Sequence, residues 1–419
     1  MNYIKYNGKR FRENLPERSI TIFFISFVYP VSTGYLKRMD LLIRWANERF
    51  SKVNFVIPNN KTTSEEVVEE HLKYCNNLFL VEHEHQKFKK LYSLKDILYR
   101  LFTGRYPKFY SSIVLHQSLI DSFTCVMRDN RTDYFLNTRN NYGGLVHFLP
   151  KGIRTIFDTQ DIFTDMHRKY GMYGKSKWYQ KLSLGYRERG DFVKSESEIL
   201  ARYDKIIAIS ETDNQKYQSI VELKNKITKI ESIGIDIQDS ASVLEPIKEF
   251  DILIVASNFL ATQKGLDWMI NEVAPNFTKT ISLCVVGSIG DYFNSKKYSQ
   301  SNLEITIKGI VDSVENYYNI SKIVPICMLE GTGTSVKGIE ALAFGAAIVT
   351  TSAGVRFGGL ESGKHCLIAD DSKTFAYYIE LLLNNEQLRH DLGRSALEYA
   401  KSEFSLESTY KQLDSVFEF

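Results

Sequence analysis

Two α/β domains in series, each built on a parallel sheet, are what this sequence predicts. Three observations carry the prediction. Short continuous apolar runs rich in Val, Ile, Leu and Phe recur along the whole chain, as expected of strands buried on both faces. Polar or helix-patterned segments alternate with those runs, as βαβ units require. At 419 residues the chain also exceeds the size at which a single core stops growing.

Taken in order, the polar start "MNYIKYNGKRFRENLPERS" has no signal-peptide core. The apolar run after it, "ITIFFISFVYPV", is too short to span a bilayer and suits a buried strand. A cytoplasmic location is the expectation from these two segments. "TGYLKRMDLLIRWANERF" follows that strand, with Leu36, Met39, Leu42, Ile43 and Ala46 at helical spacing. Further strands are expected at "KVNFVIP", "NLFLVEH", "DYFLNT", "IRTIFDT", "KIIAIS" and "ITKIES". "ESEILARYDKIIAIS" reads as a helix running into a strand. Pro246 and the charged "EPIKEFD" mark a boundary. It divides a first domain, 1–246, from a second, 247–403. In the second, strands are expected at "FDILIVAS", "ISLCVVGS", "LEITIKG", "KIVPICML", "AAIVTTS" and "CLIAD". Helices are expected at "KGLDWMINEVAPNF" and "SVKGIEALAFG". Two such Rossmann-like domains leave a cleft between the carboxyl ends of their sheets, where ligands of this fold class bind.

Composition narrows the function. The 43% hydrophobic and 25% charged fractions are those of an ordinary globular protein. A net charge of +3 gives no bulk argument for nucleic acid, and none is expected as a partner. The five cysteines are scattered with no CxxC pair, which suits reduced thiols rather than zinc or disulfides. His83 and His85 in "VEHEHQ" lack a third ligand, so no metal is expected there.

The segment "EGTGTSVKGIEALAFG" carries most of the chemistry. It follows an expected strand and opens an expected helix, a setting in which bare backbone N–H groups and the helix dipole attract an anion, most often phosphate. Gly331 and Gly333 allow close approach, and Thr332, Thr334 and Ser335 can cap or donate. Lys337 adds a full positive charge, and Glu340 could accept two hydrogen bonds from a vicinal diol such as ribose. An ordinary strand-to-helix turn with an exposed Lys–Glu pair would have the same spacing. The loop is neither GxxxxGK[ST] nor a GxGxxG after a first strand, which disfavours a dinucleotide oxidoreductase.

"GTGTSVKGIEALAFGAAIVTT" and the following "GKHCLIADDSKTFAYYIELLLNNEQLRHDLG" resemble the group 1 glycosyltransferases of GT-B fold. "FDTQDIFTD" and "ESEILARYDKIIAIS" in the first half resemble other stretches of that family, so the likeness spans most of the chain. It implies two Rossmann-like domains facing across a central cleft, with a last helix, 404–419, crossing back to the first domain. It implies a retaining, metal-independent transfer of sugar from a nucleotide-diphosphate sugar to a glycan or lipid-linked acceptor, without a cofactor.

By the same resemblance Glu340 matches the ribose-binding second glutamate of a paired motif. The first glutamate of that pair would fall at Thr332 and is absent; Glu330 stands two residues out of register. Lys264 in "TQKGLDWMI" matches the lysine that neutralises the diphosphate, while the arginine usual before it is missing. Gly34 in "TGYL" takes the place of a glycine-rich acceptor-side loop. In "DTQD", Gln160 stands where many members have histidine, and Asp161 keeps the acid, able to bond a sugar hydroxyl. Asp158 or Asp161 would equally suit the cap of a following turn.

The basic, aromatic segment 86–110 has Phe88, Leu91, Leu94, Leu98, Leu101 and Phe102 on one helical stripe. It reads either as a domain helix with a solvated basic face or as a peripheral contact with an anionic membrane surface. A second basic stretch, "HRKYGMYGKSKWYQKLSLGYRERG", could be a loop over the acceptor. Two other functions remain open at this point: a different sugar-nucleotide enzyme such as an epimerase, and a non-catalytic subunit that binds a glycan or partner.

Overall fold

The computed structural model describes residues 3–10, 15–29, 31, 34–59, 64–82, 115–160, 196–231, 233–235, 237, 248–294, 302–330, 335–355 and 359–419. Segments 86–110 and 167–190, with His83 and His85, lie outside these residues. By its contacts the chain divides into two compact units, Met1–Ile230 and Glu231–Phe419.

The first unit holds strands β1 (Tyr3–Asn7), β2 (Ser19–Phe23), β3 (Lys52–Asn59), β4 (Asn77–Glu82), β5 (Tyr134–Asn137), β6 (Arg154–Asp158), β7 (Lys205–Ala208) and β8 (Ile227–Lys229). They form one sheet in the order β1-β4-β3-β2-β5-β6-β7-β8, parallel throughout except for β1 against β4. Each strand expected in this half is present. β1 is additional: "YIKYN" is an edge strand with Lys5 exposed, so it has no continuous apolar run to announce it. Among the described residues its helices include α1 (Gly34–Arg49), α2 (Glu65–Leu72), α3 (Gln117–Asp129) and α4 (Glu211–Gln218). α1 buries the expected Met39, Leu42, Ile43 and Ala46, together with Trp45 and Arg38.

Arg10, just after β1, closes the end of α1. Its guanidinium donates to the carbonyls of Asn47 (3.0 Å), Ser51 (2.9 Å) and Phe50, and to Asn76 Oδ1 (2.9 Å). These carbonyls at and beyond the last turn have no partner within the helix, and a buried cation suits the negative end of its dipole.

His71 in α2 is fully buried and does comparable work for the loop after β2. Its Nε2 accepts the Val28 N–H at 2.7 Å, so Nδ1 carries the proton and donates to the Val67 carbonyl at 2.7 Å. Burial, outweighing the Val67 carbonyl and the nearby Glu70, holds its pKa below the usual 6.5. The unfolded chain therefore binds the proton more readily. The stabilisation is complete above pH 6.5 and is lost as the pH falls through 6.5 toward the lower folded value. Urea denaturation at pH 7.5 and 5.5 should show this loss, and His71→Gln should show a smaller one.

The second unit holds β9 (Phe250–Val255), β10 (Ile281–Val286), β11 (Leu303–Gly309), β12 (Ser321–Ile326), β13 (Ala347–Thr350) and β14 (Leu367–Ile368), all parallel, in the order β11-β10-β9-β12-β13-β14. Around them lie α5 (Leu260–Trp268), α6 (Ile289–Asn294), α7 (Glu315–Asn319), α8 (Val336–Ala343), α9 (Ser372–Asn384), α10 (Glu386–Phe404) and α11 (Leu406–Phe417). The helix expected over 264–277 is interrupted. α5 gives way to a π turn at Met269–Val273 and a 3-10 turn at Ala274–Asn276, where Pro275 supplies no N–H. Ile235 belongs to this unit because it bonds both sides of the α10–α11 junction, to Phe404 O (2.7 Å) and from Leu406 N (3.1 Å).

In each sheet the strand order reverses at one point, between β2 and β5 and between β9 and β12. The loops leaving those strands at their carboxyl ends diverge, and that divergence opens the crevice in which ligands of open α/β sheets bind.

Candidate functional site

In the second unit the crevice is flanked by α5, which follows β9, and by the chain that follows β12. Thr262 fixes the start of α5: its hydroxyl reaches the Ser257 and Phe259 carbonyls at 2.5 and 2.8 Å and accepts the Phe259 N–H at 3.3 Å. One turn later Gly265 lies against the backbone beyond β12. A Cβ there would sit 1.8 Å from the Cys327 carbonyl oxygen. That close approach brings Lys264 across the crevice, where its Nζ pairs with Glu330 Oε1 at 2.5 Å. Gly265→Ala must therefore push α5 away from Cys327, costing about 1–3 kcal/mol of stability. A lowered melting temperature together with weakened ligand binding at Lys264 would show it.

α8 opens at Ser335, whose side chain makes no capping bond. Ile339, Ala341 and Leu342 are fully buried and hold the helix to the core. Lys337 Nζ pairs with Glu340 Oε2 at 2.9 Å; the lysine is 38% exposed and the glutamate side chain only 7%. Beneath them the buried Tyr318 stacks on Phe344 at 4.5 Å, and among the described residues its hydroxyl has no hydrogen-bond partner. Burial and the Glu340 charge raise the Tyr318 pKa well above its usual value, so the phenol stays neutral. Sequence reading did not find Tyr318, which precedes β12 and bears no spacing relation to Glu340. The loop behind Met328 is tied down by the Thr351 hydroxyl, which donates to its carbonyl.

In the first unit, α1 begins at Gly34, and the Arg139 guanidinium lies 5.0 Å from the Tyr35 ring centroid. Arg38 and Asp158 form an ion pair at 2.7 Å with side chains 1% and 0% exposed, and Arg38 Nε adds a longer bond of 3.3 Å. The pair ties α1 to the end of β6. Gln160 has a left-handed φ of 40°, and its amide turns inward to donate to Asp158. One of its two amide hydrogens is thus committed inside the protein. Asp158 proves to be the centre of a buried network rather than a cap. Asp161, Gly331, Thr332, Gly333 and Thr334 lie outside the described residues. Of the remaining site residues, Lys337 and Glu340 meet as a pair, Lys264 pairs with Glu330, and Gln160 joins Asp158 and Arg38.

Two parallel sheets with this strand order define the class: the protein has the GT-B fold. HepE from Anabaena, in complex with UDP, shares the fold with a TM-score of 0.63, 11% identity, and coverage of 96% of this chain and 99% of that one. Residues 250–385, which lie in the second unit, match the family model "Glycosyl transferases group 1". The family likeness and GT-B fold expected from the sequence are borne out. An uncharacterized 44.6 kDa protein from the cps region of Klebsiella pneumoniae is 23% identical over 253 residues. The capsular polysaccharide biosynthesis glycosyltransferase CapM of Staphylococcus aureus is 27% identical over 232 residues. These matches take in 56% and 51% of this chain, and the chain spans 60% of the length of either relative.

Proposed function

We propose that this protein transfers a sugar from a nucleoside-diphosphate sugar to a glycan or lipid-linked acceptor, with retention, in surface polysaccharide assembly. The observation that carries the reading is the presence of Lys264, Lys337 and a buried Glu340 at one sheet's switch point, within a group 1 glycosyl transferase domain. The UDP complex of HepE and the capsular role of CapM support the substrate class and the setting.

In this reading the second unit holds the donor. Glu340 accepts hydrogen bonds from the ribose hydroxyls. Lys264 and Lys337 serve the diphosphate, together with Gly331, Thr332, Gly333, Thr334 and Ser335 as the family resemblance implies. As the bond from the anomeric carbon to the β-phosphate oxygen breaks, negative charge grows on the diphosphate, and fixed cations aimed at that charge lower the barrier most. The acceptor hydroxyl enters on the leaving-group side, forms the new bond to the anomeric carbon and gives its proton to the departing phosphate. No metal and no enzyme nucleophile takes part. By the same reading, Gly34, Gln160 and Asp161 serve the acceptor side of the reaction. No described helix is long and apolar enough to cross a membrane.

The test is turnover with a panel of sugar nucleotides, with and without acceptor glycans, following nucleoside diphosphate release and the anomer formed. Release that requires an acceptor and yields a retained linkage supports the reading. Interconversion of the donor without an acceptor would indicate an epimerase. No turnover with any donor would indicate a binding subunit.

A further inference from the structure

Glu330 has no part in the reaction just described, yet it holds the lysine on which that reaction depends. Its Oε1 lies 2.5 Å from Lys264 Nζ. It differs from Glu340, the other carboxylate paired with a lysine at this edge. The Lys337–Glu340 pair is local, one helical turn apart, and Glu340 is buried and fixed on α8. Glu330 instead reaches a partner 66 residues away, and its side chain is 35% exposed. In sequence it stands immediately before Gly331. Lys264 is itself 49% exposed, so an incoming anion can reach the ammonium from solvent.

A diphosphate at Lys264 cannot share the site with Glu330 in its present position. The two anions would stand a few ångströms apart with one cation between them, and like charges at that range repel. The half-exposed pair, in contrast, is held only weakly, because water screens it on the open side. The weaker anion yields.

We propose that Glu330 is an internal counter-anion: it occupies Lys264 in the donor-free protein and is displaced when a nucleoside diphosphate binds. The proposal rests on the donor-site reading of Lys264. It assigns opposite signs to the two carboxylates. Removing the charge of Glu340 weakens nucleotide binding, whereas removing the charge of Glu330 strengthens it. Donor binding then includes an ion-pair exchange at Glu330.

Calorimetric titration with UDP and with inorganic pyrophosphate tests this on wild type, Glu330→Gln, Glu330→Ala, Lys264→Ala and the Lys264→Ala/Glu330→Gln double variant. Both Glu330 variants should bind each probe about two- to fivefold more tightly than wild type at low salt, the range of an exposed ion pair. The gain should vanish in the Lys264→Ala background. It should also shrink at high salt, where the internal pair is already screened. Equal or weaker binding by the Glu330 variants, with saturable binding by wild type, overturns the exchange and leaves the donor site standing. A gain that persists without Lys264 overturns it as well. If wild type binds neither probe, the donor-site reading fails and the exchange fails with it.

Discussion

Replacing Arg38 by methionine should destabilise the first unit by about 3–5 kcal/mol, the cost of leaving a buried charge without its partner. Arg38 and Asp158 are 1% and 0% exposed, so little solvent screening softens the loss. The methionine keeps most of the side-chain volume, which makes the charge the main variable. Arg38→Met/Asp158→Leu should recover much of the loss, because an apolar pair of similar volume needs no desolvated ion. Recovery should be incomplete, since Gln160 loses the carboxylate that receives its amide in a left-handed conformation. Urea denaturation of the three proteins measures all of this. A single variant with wild-type stability would show that the pair contributes nothing to the fold.

Glu340→Ala should weaken nucleoside diphosphate binding about 10- to 150-fold. That range corresponds to the roughly 1.5–3 kcal/mol that a hydrogen bond to a charged group is worth. The loss is partly offset because Lys337, released from its 2.9 Å pairing, becomes free to turn toward the phosphates. Glu340→Gln should fall between the alanine variant and wild type, as an amide oxygen still accepts one hydroxyl. Equilibrium titration of the three proteins with UDP gives the order directly, and unchanged affinity in Glu340→Ala would remove the ribose assignment.

Much of the architecture was legible because parallel strands buried on both faces must be continuous apolar runs, and β2 to β14 all announced themselves in that way. β1 did not, because an edge strand with a wetted face needs no such run. The Lys337–Glu340 pair could be read from its spacing, since residues three apart on a helix are neighbours. The Lys264–Glu330 pair could not, because contact across 66 residues depends on how closely α5 approaches Cys327. Arg38 was hidden for another reason. On a helical stripe a charged residue reads as solvent-facing, and only the fold places Asp158 against it. Gln160 was noticed for the histidine it replaces, but its inward turn follows from a backbone angle that no residue pattern records.

The donor-site assignment depends on where a nucleotide binds. A crystal structure of the protein grown with UDP tests it most directly. The diphosphate is expected against Lys264 and Lys337, the ribose on Glu340, and Glu330 moved away from Lys264. UDP bound elsewhere, or a second unit with both lysine–glutamate pairs intact beside bound UDP, would contradict it.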